Sequence, residues 1–326
     1  MAMLRSIRRL PSITLFCLDN LKEKPFLVHS ITPKAGLLTM TAAYLARVPH
    51  RIHTFTGLIF PYKEGIMQKI LIRTDKILCA CATKVYPEGN GVKTDLKKFK
   101  ITNKPLKIIA NGNINGIDLT HFNPIIYNDT QKNKLKKKLN INTTDHVFVF
   151  VGRLVKDKGI NELIAAFKSL SKTEKNIKLL LVGTYEKDLD PVLPETEEEI
   201  NTNQQIISVG WQEDVRPYFA ISNCLVFPSY REGFPNVVIQ AGAMGIASIV
   251  TNISGCNEII INDENGIIIP KKDTESIINA IKYYLSNQSS TLKNSEHIRN
   301  MIVDRYDQKL VWESLLKEYQ ALEKNN

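Results

Sequence analysis

Glu232, Gly233, Phe234 and Gln240 stand in a stretch whose residue types suit a phosphorylated sugar. Residues Ser229 to Gly245 read SYREGFPNVVIQAGAMG and follow an apolar run, Cys224 to Pro228. The pattern predicts a buried strand, a short loop, and a helix opening at Pro235, where a missing N–H costs nothing. A helix start offers unpaired N–H groups and the positive end of the helix dipole, a natural seat for phosphate. A carboxylate beside that seat, Glu232, can grip sugar hydroxyls. The plainer reading is an ordinary strand–loop–helix unit with Glu232 merely solvated.

A second stretch supplies cations. Val147 to Ile160 reads VFVFVGRLVKDKGI, a continuous apolar run ending at Gly152, as a central parallel strand would. Arg153 and Lys158 then occupy the loop at the strand's carboxyl end, where open α/β sheets bind ligands. Ile160, Leu163, Ile164, Phe167 and Leu170 form one helical stripe, so an amphipathic helix follows. Two cations there can hold a diphosphate and stabilise it as it leaves, without a nucleophilic side chain. Otherwise they are surface charges beside a strand end.

Together these stretches resemble the retaining glycosyltransferases of family 4, the GT-B enzymes that assemble bacterial surface glycans from nucleotide-sugars. The family signature is Glu, seven residues, Glu; here it is Glu232, seven residues, Gln240. Glutamine keeps an acceptor and adds donors but loses the charge, which suits ribose hydroxyls and rules out a base. The Gly-Arg…Lys-Gly pattern from Gly152 to Gly159 matches the family's donor-diphosphate segment. Val209 to Ser229 matches the nucleobase segment, in which Trp211 either walls the base pocket or simply packs, and Asp214 caps a helix over Val215 to Ile221. Thr251 to Ile260 matches a third strand–loop–helix passage, with Gly255 permitting close backbone approach and Asn257 and Glu258 serving the fold or the rim. The resemblance implies catalytic roles for Arg153, Lys158 and Glu232, and donor contacts from Gly152, Trp211, Gly233, Phe234, Pro235, Asn236 and Gln240.

At 326 residues the chain is long enough for two domains. Candidate strands alternate with helices, which argues for α/β architecture with parallel sheets. In the first half the strands are expected at Phe26–His29, Arg51–Phe55, Lys76–Cys81 and Lys107–Ala110, with helices at Leu37–Ala46 and Gly65–Thr74. In the second half they are expected at His146–Val151, Lys178–Val182, Gln205–Val209, Cys224–Phe227, Ala247–Val250 and Gly266–Ile269. A helix from about Asp307 to Lys324 carries Leu310, Trp312, Leu315, Leu316, Tyr319 and Leu322 on a broad apolar face. The resemblance implies two Rossmann-like domains: an acceptor-side domain over 1–122, a nucleotide-sugar domain over 123–306, and a helix over 307–326. That helix either crosses back to the first domain, as in GT-B enzymes, or packs on its own.

The first half carries the resemblance in Pro25 to Leu37, Arg51 to Gly57 and Ile108 to Asp118, specifically to members acting on lipid-linked glycans. Lys34 and His53 are its acceptor-side candidates, although a His in a strand is more often a hydrogen-bonded structural residue. Family members begin with a strand, Gly-rich loop, helix and second strand before the segment matching Val28; here Met1 to Ile7 resembles an internal position. The expectation is therefore a fragment, a late-called start or a degraded copy.

No run reaches the roughly 18–20 apolar residues of a membrane span. Arg5, Arg8 and Arg9 precede an apolar stretch, but no small-residue cleavage site follows. Cys17, Cys79, Cys81, Cys224 and Cys256 are odd in number and lack zinc spacing, so they read as reduced core residues, with Cys79 and Cys81 on one strand face. The net charge of +10 comes partly from Lys93 to Lys107 and from Lys132 to Lys138. These lysines form a solvated face or attract anionic lipid; no motif for nucleic acid accompanies them.

The resulting expectation is transfer of a sugar from a nucleotide donor, UDP by family likeness, to a lipid-linked oligosaccharide with retention. It needs no metal or other cofactor, and takes place in the cytoplasm on the inner face of the plasma membrane. Two rivals remain: a nucleotide-sugar epimerase of the same fold, and a non-catalytic nucleotide-sugar binder or scaffold.

Overall fold

The computed structural model describes residues 25–324, apart from 187, 189, 288–291 and 293. The readings made of Arg5, Arg8, Arg9 and Cys17 lie outside the described residues. The chain divides into two compact units, Met1–Ile114 with Val311–Asn326, and Asn115–Leu310.

In the first unit three parallel strands, β1 (Leu27–Ser30), β2 (His50–Phe55) and β3 (Lys84–Pro87), lie in the order β1-β2-β3. Helices α1 (Pro33–Leu45), α2 (Gly65–Cys81) and α3 (Asn90–Lys98) connect and follow them. Met40, Phe55, Phe60, Leu78, Val85 and Leu96 centre its core. Two expected strands are corrected here. Lys76–Cys81 is the last part of α2, in which Leu78 and Cys79 face the core while Ile77 faces out. Its carbonyls are held by cations: Arg51 Nε donates to Cys81 O at 2.6 Å, and Lys104 Nζ to the carbonyls of Cys79 and Ala82. Cys79 and Cys81 therefore share a helix rather than a strand. Lys107–Ala110 forms no strand; only isolated bridges flank it, Val85 with Leu106 just before it and Ala110 with Gly112 at its end. The strand that takes its place in the sheet is β3, Lys84–Pro87.

In the second unit α4 (Asp129–Lys138) leads into β4 (His146–Val151), α5 (Ile160–Thr173), β5 (Ile177–Val182), α6 (Pro194–Thr202) and β6 (Ile206–Ser208). There follow α7 (Arg216–Ala220), β7 (Cys224–Phe227), α8 (Asn236–Ala243), β8 (Ala247–Thr251), α9 (Cys256–Ile259), β9 (Gly266–Ile269), α10 (Thr274–Ser286) and α11 (Ser295–Tyr306). The six strands are parallel in the order β6-β5-β4-β7-β8-β9. Val147 to Phe150 of β4 are wholly buried, as a strand covered on both faces requires. Helix α5 packs on α6 and α10, while α8 packs on α11, so the helices after β4 and β7 lie on opposite faces. The order therefore reverses between β4 and β7.

The division falls at Ile114/Asn115 rather than after residue 122. The segment between is tied to the second unit: Ile117 bridges Asp307, and Arg299 donates to the carbonyls of Leu119 and Phe122. The last helix, α12 (Gln308–Glu323), counts with the first unit from Val311 onward. Glu318 accepts from Tyr86 Oη at 2.7 Å and pairs with Lys107. Leu322 packs with Ile52, Tyr86 and Ile109. Trp312 and Leu316, expected on the apolar face, are more than half exposed.

Candidate functional site

In the second unit the carboxyl ends of β4, β5 and β6 finish on Gly152, Gly183 and Gly210, all with positive φ. Gly183 N–H donates to Gly210 O at 2.9 Å, and a Cβ on Gly183 would lie 1.8 Å from Gly152 O. At Gly183 only glycine permits so close an approach of two neighbouring strand ends. Beside this row, at the reversal between β4 and β7, the Arg153–Lys158 loop meets the Ser229–Pro235 loop.

The two loops are stitched together. Tyr230 N–H donates to Asp157 O at 2.8 Å, and Arg231 grips the Asp157 carboxylate with Nε at 3.1 Å and Nη2 at 2.8 Å. Lys158 Nζ pairs with Glu232 Oε1, each side chain about one-sixth exposed, and lies 5.4 Å from the Phe227 ring centre. Ser229 Oγ donates to the same Glu232 oxygen at 2.8 Å. Gly159, in the left-handed region at φ 72°, ends the turn of Lys156–Lys158 and opens α5. A Cβ there would sit 2.1 Å from Pro228 O.

A third loop supports the second. Thr251 Oγ1 donates to Ser229 O, and Gly255, at φ 77°, lies so close that a Cβ would be 2.5 Å from Gly233 O. Cys256, just below, is deeply buried; desolvation and the Glu232 charge push its thiol well above the ordinary range. It is an inert packing residue.

The structure thus brings Lys158, Glu232 and the start of α8 to one crevice. Pro235 is the N-cap of α8, so the helix begins at Asn236, one residue after the expected start. Among the described residues neither the Gly233 nor the Phe234 amide has an acceptor, so both remain available to an anion. Phe234 contributes no side chain to the crevice, because its ring is buried edge-on against Tyr306 at 5.7 Å. Asn236 is exposed and Gln240 half-buried; four residues apart, they share one face of α8. Arg153 is half exposed and paired with Glu186 at 2.7 Å rather than with Glu232. Trp211 is 69% exposed in the loop after β6. Asp214 accepts from Arg216 N–H at 3.0 Å at the start of α7, and Arg216 holds its carboxyl below the usual range.

In the first unit His53 is wholly buried, its Nδ1 2.8 Å from Ser30 Oγ and its ring edge-on to Phe55. Gly36 is tight against it: a Cβ would lie 2.4 Å from His53 Cε1. His53 therefore presents no surface to an acceptor, and burial lowers its pKa to about 3. Lys34 lies in the first turn of α1; its side chain is outside the described residues.

Sequence reasoning missed Asp157, Arg231, Ser229 and Glu186. Asp157 and Arg231 stand 74 residues apart, and only the adjacency of β4 and β7 makes them a pair. Among the described residues no three His, Cys, Asp or Glu side chains converge as metal ligands.

Comparison with known proteins bears on the family and the fold. CapM of Staphylococcus aureus, a capsular polysaccharide biosynthesis glycosyltransferase, is 32% identical over 94% of this chain and 79% of its own length. The UDP-Gal:alpha-D-GlcNAc-diphosphoundecaprenol alpha-1,3-galactosyltransferase of Escherichia coli is 29% identical over 88% and 73%. The solved structure of Anabaena HepE in complex with UDP-glucose superposes with a TM-score of 0.82 at 17% identity, covering 95% of this chain and 82% of that one. This is likeness of fold, and the GT-B arrangement expected from the sequence stands. The model of the family "Glycosyl transferases group 1" matches residues 131–301, from within α4 to within α11 and including the loops that carry the crevice, and with it this chain belongs to the group 1 glycosyltransferases.

Proposed function

We propose that this glycosyltransferase moves a hexose from a UDP-linked donor to a lipid-linked oligosaccharide in surface polysaccharide synthesis, with retention of configuration. The observation that carries the proposal is the Lys158–Glu232 pair beside the start of α8, at the reversal of strand order. The names of the capsular and diphosphoundecaprenol relatives support the donor and acceptor classes.

In this reading the diphosphate lies over the Gly233 and Phe234 amides. Lys158 exchanges Glu232 for a phosphate oxygen, and Arg153 exchanges Glu186 likewise. Glu232, freed from the ammonium, accepts hydrogen bonds from sugar hydroxyls. Gln240 holds the ribose and Trp211 faces the base. The bond between the anomeric carbon and the diphosphate oxygen breaks as negative charge builds on the phosphate, where the cations and the helix start stabilise it. The acceptor hydroxyl then bonds to the anomeric carbon from the same face, and its proton passes to the departing phosphate oxygen. The cations and the helix dipole supply the charge that a metal ion would otherwise provide. No described helix is long and apolar enough to cross a membrane; contact with the cytoplasmic leaflet is peripheral and electrostatic, through the lysine-rich segments.

The test is transfer from radiolabelled UDP-hexoses to diphosphoundecaprenol-linked sugars, with product stereochemistry read by NMR. Arg153→Ala, Lys158→Met and Glu232→Gln each lose transfer by roughly 100-fold or more while the thermal midpoint stays close to that of the parent. Parental turnover in the Lys158 or Glu232 variant overturns the proposal.

A further inference from the structure

The carboxylate of Glu232 is held by one of its oxygens and open at the other. Oε1 takes both the Lys158 ammonium and the Ser229 hydroxyl, the latter at 2.8 Å. Among the described residues Oε2 has no hydrogen-bond partner, and it is not sealed from solvent.

Ser229 is wholly buried, two residues beyond the end of β7. Its hydroxyl has one proton and three acceptors within reach: Glu232 Oε1 at 2.8 Å, Arg231 O at 3.2 Å and Asp157 O at 3.3 Å. The carboxylate is both nearest and charged, so it takes the proton. Asp157 O is already served by Tyr230 N–H at 2.8 Å. The backbone that carries Ser229 is pinned by its neighbours. Thr251 Oγ1, itself wholly buried, donates to the Ser229 carbonyl. Tyr230 Oη donates to Glu162 at 2.6 Å, and Arg231 grips Asp157. The hydroxyl is therefore a fixed point against which the carboxylate is set.

The two donors on Oε1 have different fates in the proposed reaction. Lys158 turns to a phosphate oxygen. A carboxylate about one-sixth exposed, left with no other partner, would follow the ammonium, because an unpaired charge in such a place is costly. With Ser229 in place one charge-assisted hydrogen bond remains. Oε1 then stays where it is, and Oε2 is free to accept from a sugar hydroxyl.

We propose that Ser229 is a positioning residue, holding Glu232 for the sugar once Lys158 has turned to the diphosphate. This rests on the roles given above to Lys158 and Glu232. A residue that merely packs would support the loop whether or not Glu232 were present, and that difference can be measured.

The experiment is a double-mutant cycle read by single-turnover transfer, using the UDP-hexose and diphosphoundecaprenol-linked sugar that give most transfer with the parent chain. UDP binding is measured in parallel by calorimetry. Ser229→Ala removes the hydroxyl, and Ser229→Cys keeps nearly the same shape with a much weaker donor. Each lowers the transfer rate by roughly 10- to 100-fold, while UDP, which has no sugar for Glu232 to orient, binds as it does to the parent. In a Glu232→Ala background Ser229→Ala has no further effect, since the group it acts through is gone. Parental rates in either Ser229 variant overturn the proposal. So does an undiminished loss from Ser229→Ala in the Glu232→Ala background, or a fall in UDP binding that matches the fall in rate; Ser229 would then hold the loop rather than the carboxylate. Parental transfer by Glu232→Ala alone refutes instead the reading of the reaction on which the role of Ser229 rests.

Discussion

Gly159→Ala tests whether the crevice depends on the contact between its two loops. The glycine has φ 72° and ψ 24°, where an L residue is strained by roughly 1–2 kcal/mol. The new methyl would also begin 2.1 Å from the Pro228 carbonyl oxygen and 2.9 Å from its carbon, against an ordinary contact of 3.4 Å or more. Both obstacles are backbone, so no side chain can rotate aside. Relief requires the Pro228 strand end to retreat by on the order of 1 Å, a misplacement that can cost about 100-fold in rate.

Pro228 leads directly into Ser229–Glu232, so the retreat carries Glu232 away from Lys158 and lengthens the Tyr230–Asp157 hydrogen bond. The expected result is a stability loss of about 2–4 kcal/mol by urea denaturation. A fall in kcat/KM of roughly 100-fold accompanies it under conditions where the variant is folded. Gly65→Ala is the control: φ is 63° but nothing lies within 4 Å of the new methyl. It shows the conformational cost alone, with unchanged kinetics on a water-soluble acceptor. If Gly159→Ala matches Gly65→Ala in both measurements, the loop contact does not hold the site and the reasoning fails.

Exchanging the central pair, Lys158→Glu with Glu232→Lys, keeps opposite charges in contact and so costs less stability than either single substitution, which would leave one largely buried charge unpaired. Transfer falls by roughly 1,000-fold, because the phosphate now meets a carboxylate where a cation stood; retained turnover would reduce the pair to a structural role. Burial lowers His29 to about 4 and His53 to about 3 from 6.5. The unfolded chain therefore binds protons that the folded one refuses, and stability, full above pH 6.5, is lost as pH falls toward 4. Asp75, raised by burial to about 6, has the opposite sign between roughly pH 4 and 6 and offsets one histidine. The net fall in urea midpoint from pH 7 to 5 is flattened by His53→Gln, and a pH-independent midpoint refutes the assignment. Trp211 and Trp312, both largely exposed, are the chain's two tryptophans. UDP should alter emission in Trp312→Phe but not in Trp211→Phe, and the reverse pattern would place the base elsewhere.

The second unit was legible because its strands are buried on both faces. An unbroken apolar run such as Val147–Val151, stopped by a glycine, has few other readings. The residues flanking each stop, Arg153, Lys158 and Glu232, were legible for the same reason. What the sequence hid was pairing. Nothing local says that Arg231 holds Asp157, or that Arg153 turns to Glu186. The first unit was read less well. Lys76–Cys81 looked like a strand because Ile77, Leu78, Cys79 and Cys81 crowd together, and pattern reading assumes that apolar residues point inward. On α2 they do not: Ile77 faces outward and Leu78 the core.

Topology then explains why these distant residues converge. A crossover between parallel strands is right-handed, so a sheet that grows from β4 toward β6 and from β7 toward β9 must send α5 and α8 to opposite faces. Their starting loops splay apart at the β4–β7 boundary and leave a crevice floored by strand ends. The start of α8, with its two unused amides, opens beside that crevice, and Lys158 enters it from the turn ahead of α5. A crevice so placed favours anions before any side chain is chosen. The Asp157–Arg231 and Lys158–Glu232 bridges tie its two loops together, and in the proposed reading the second sets a cation beside the phosphate and a carboxylate beside the sugar.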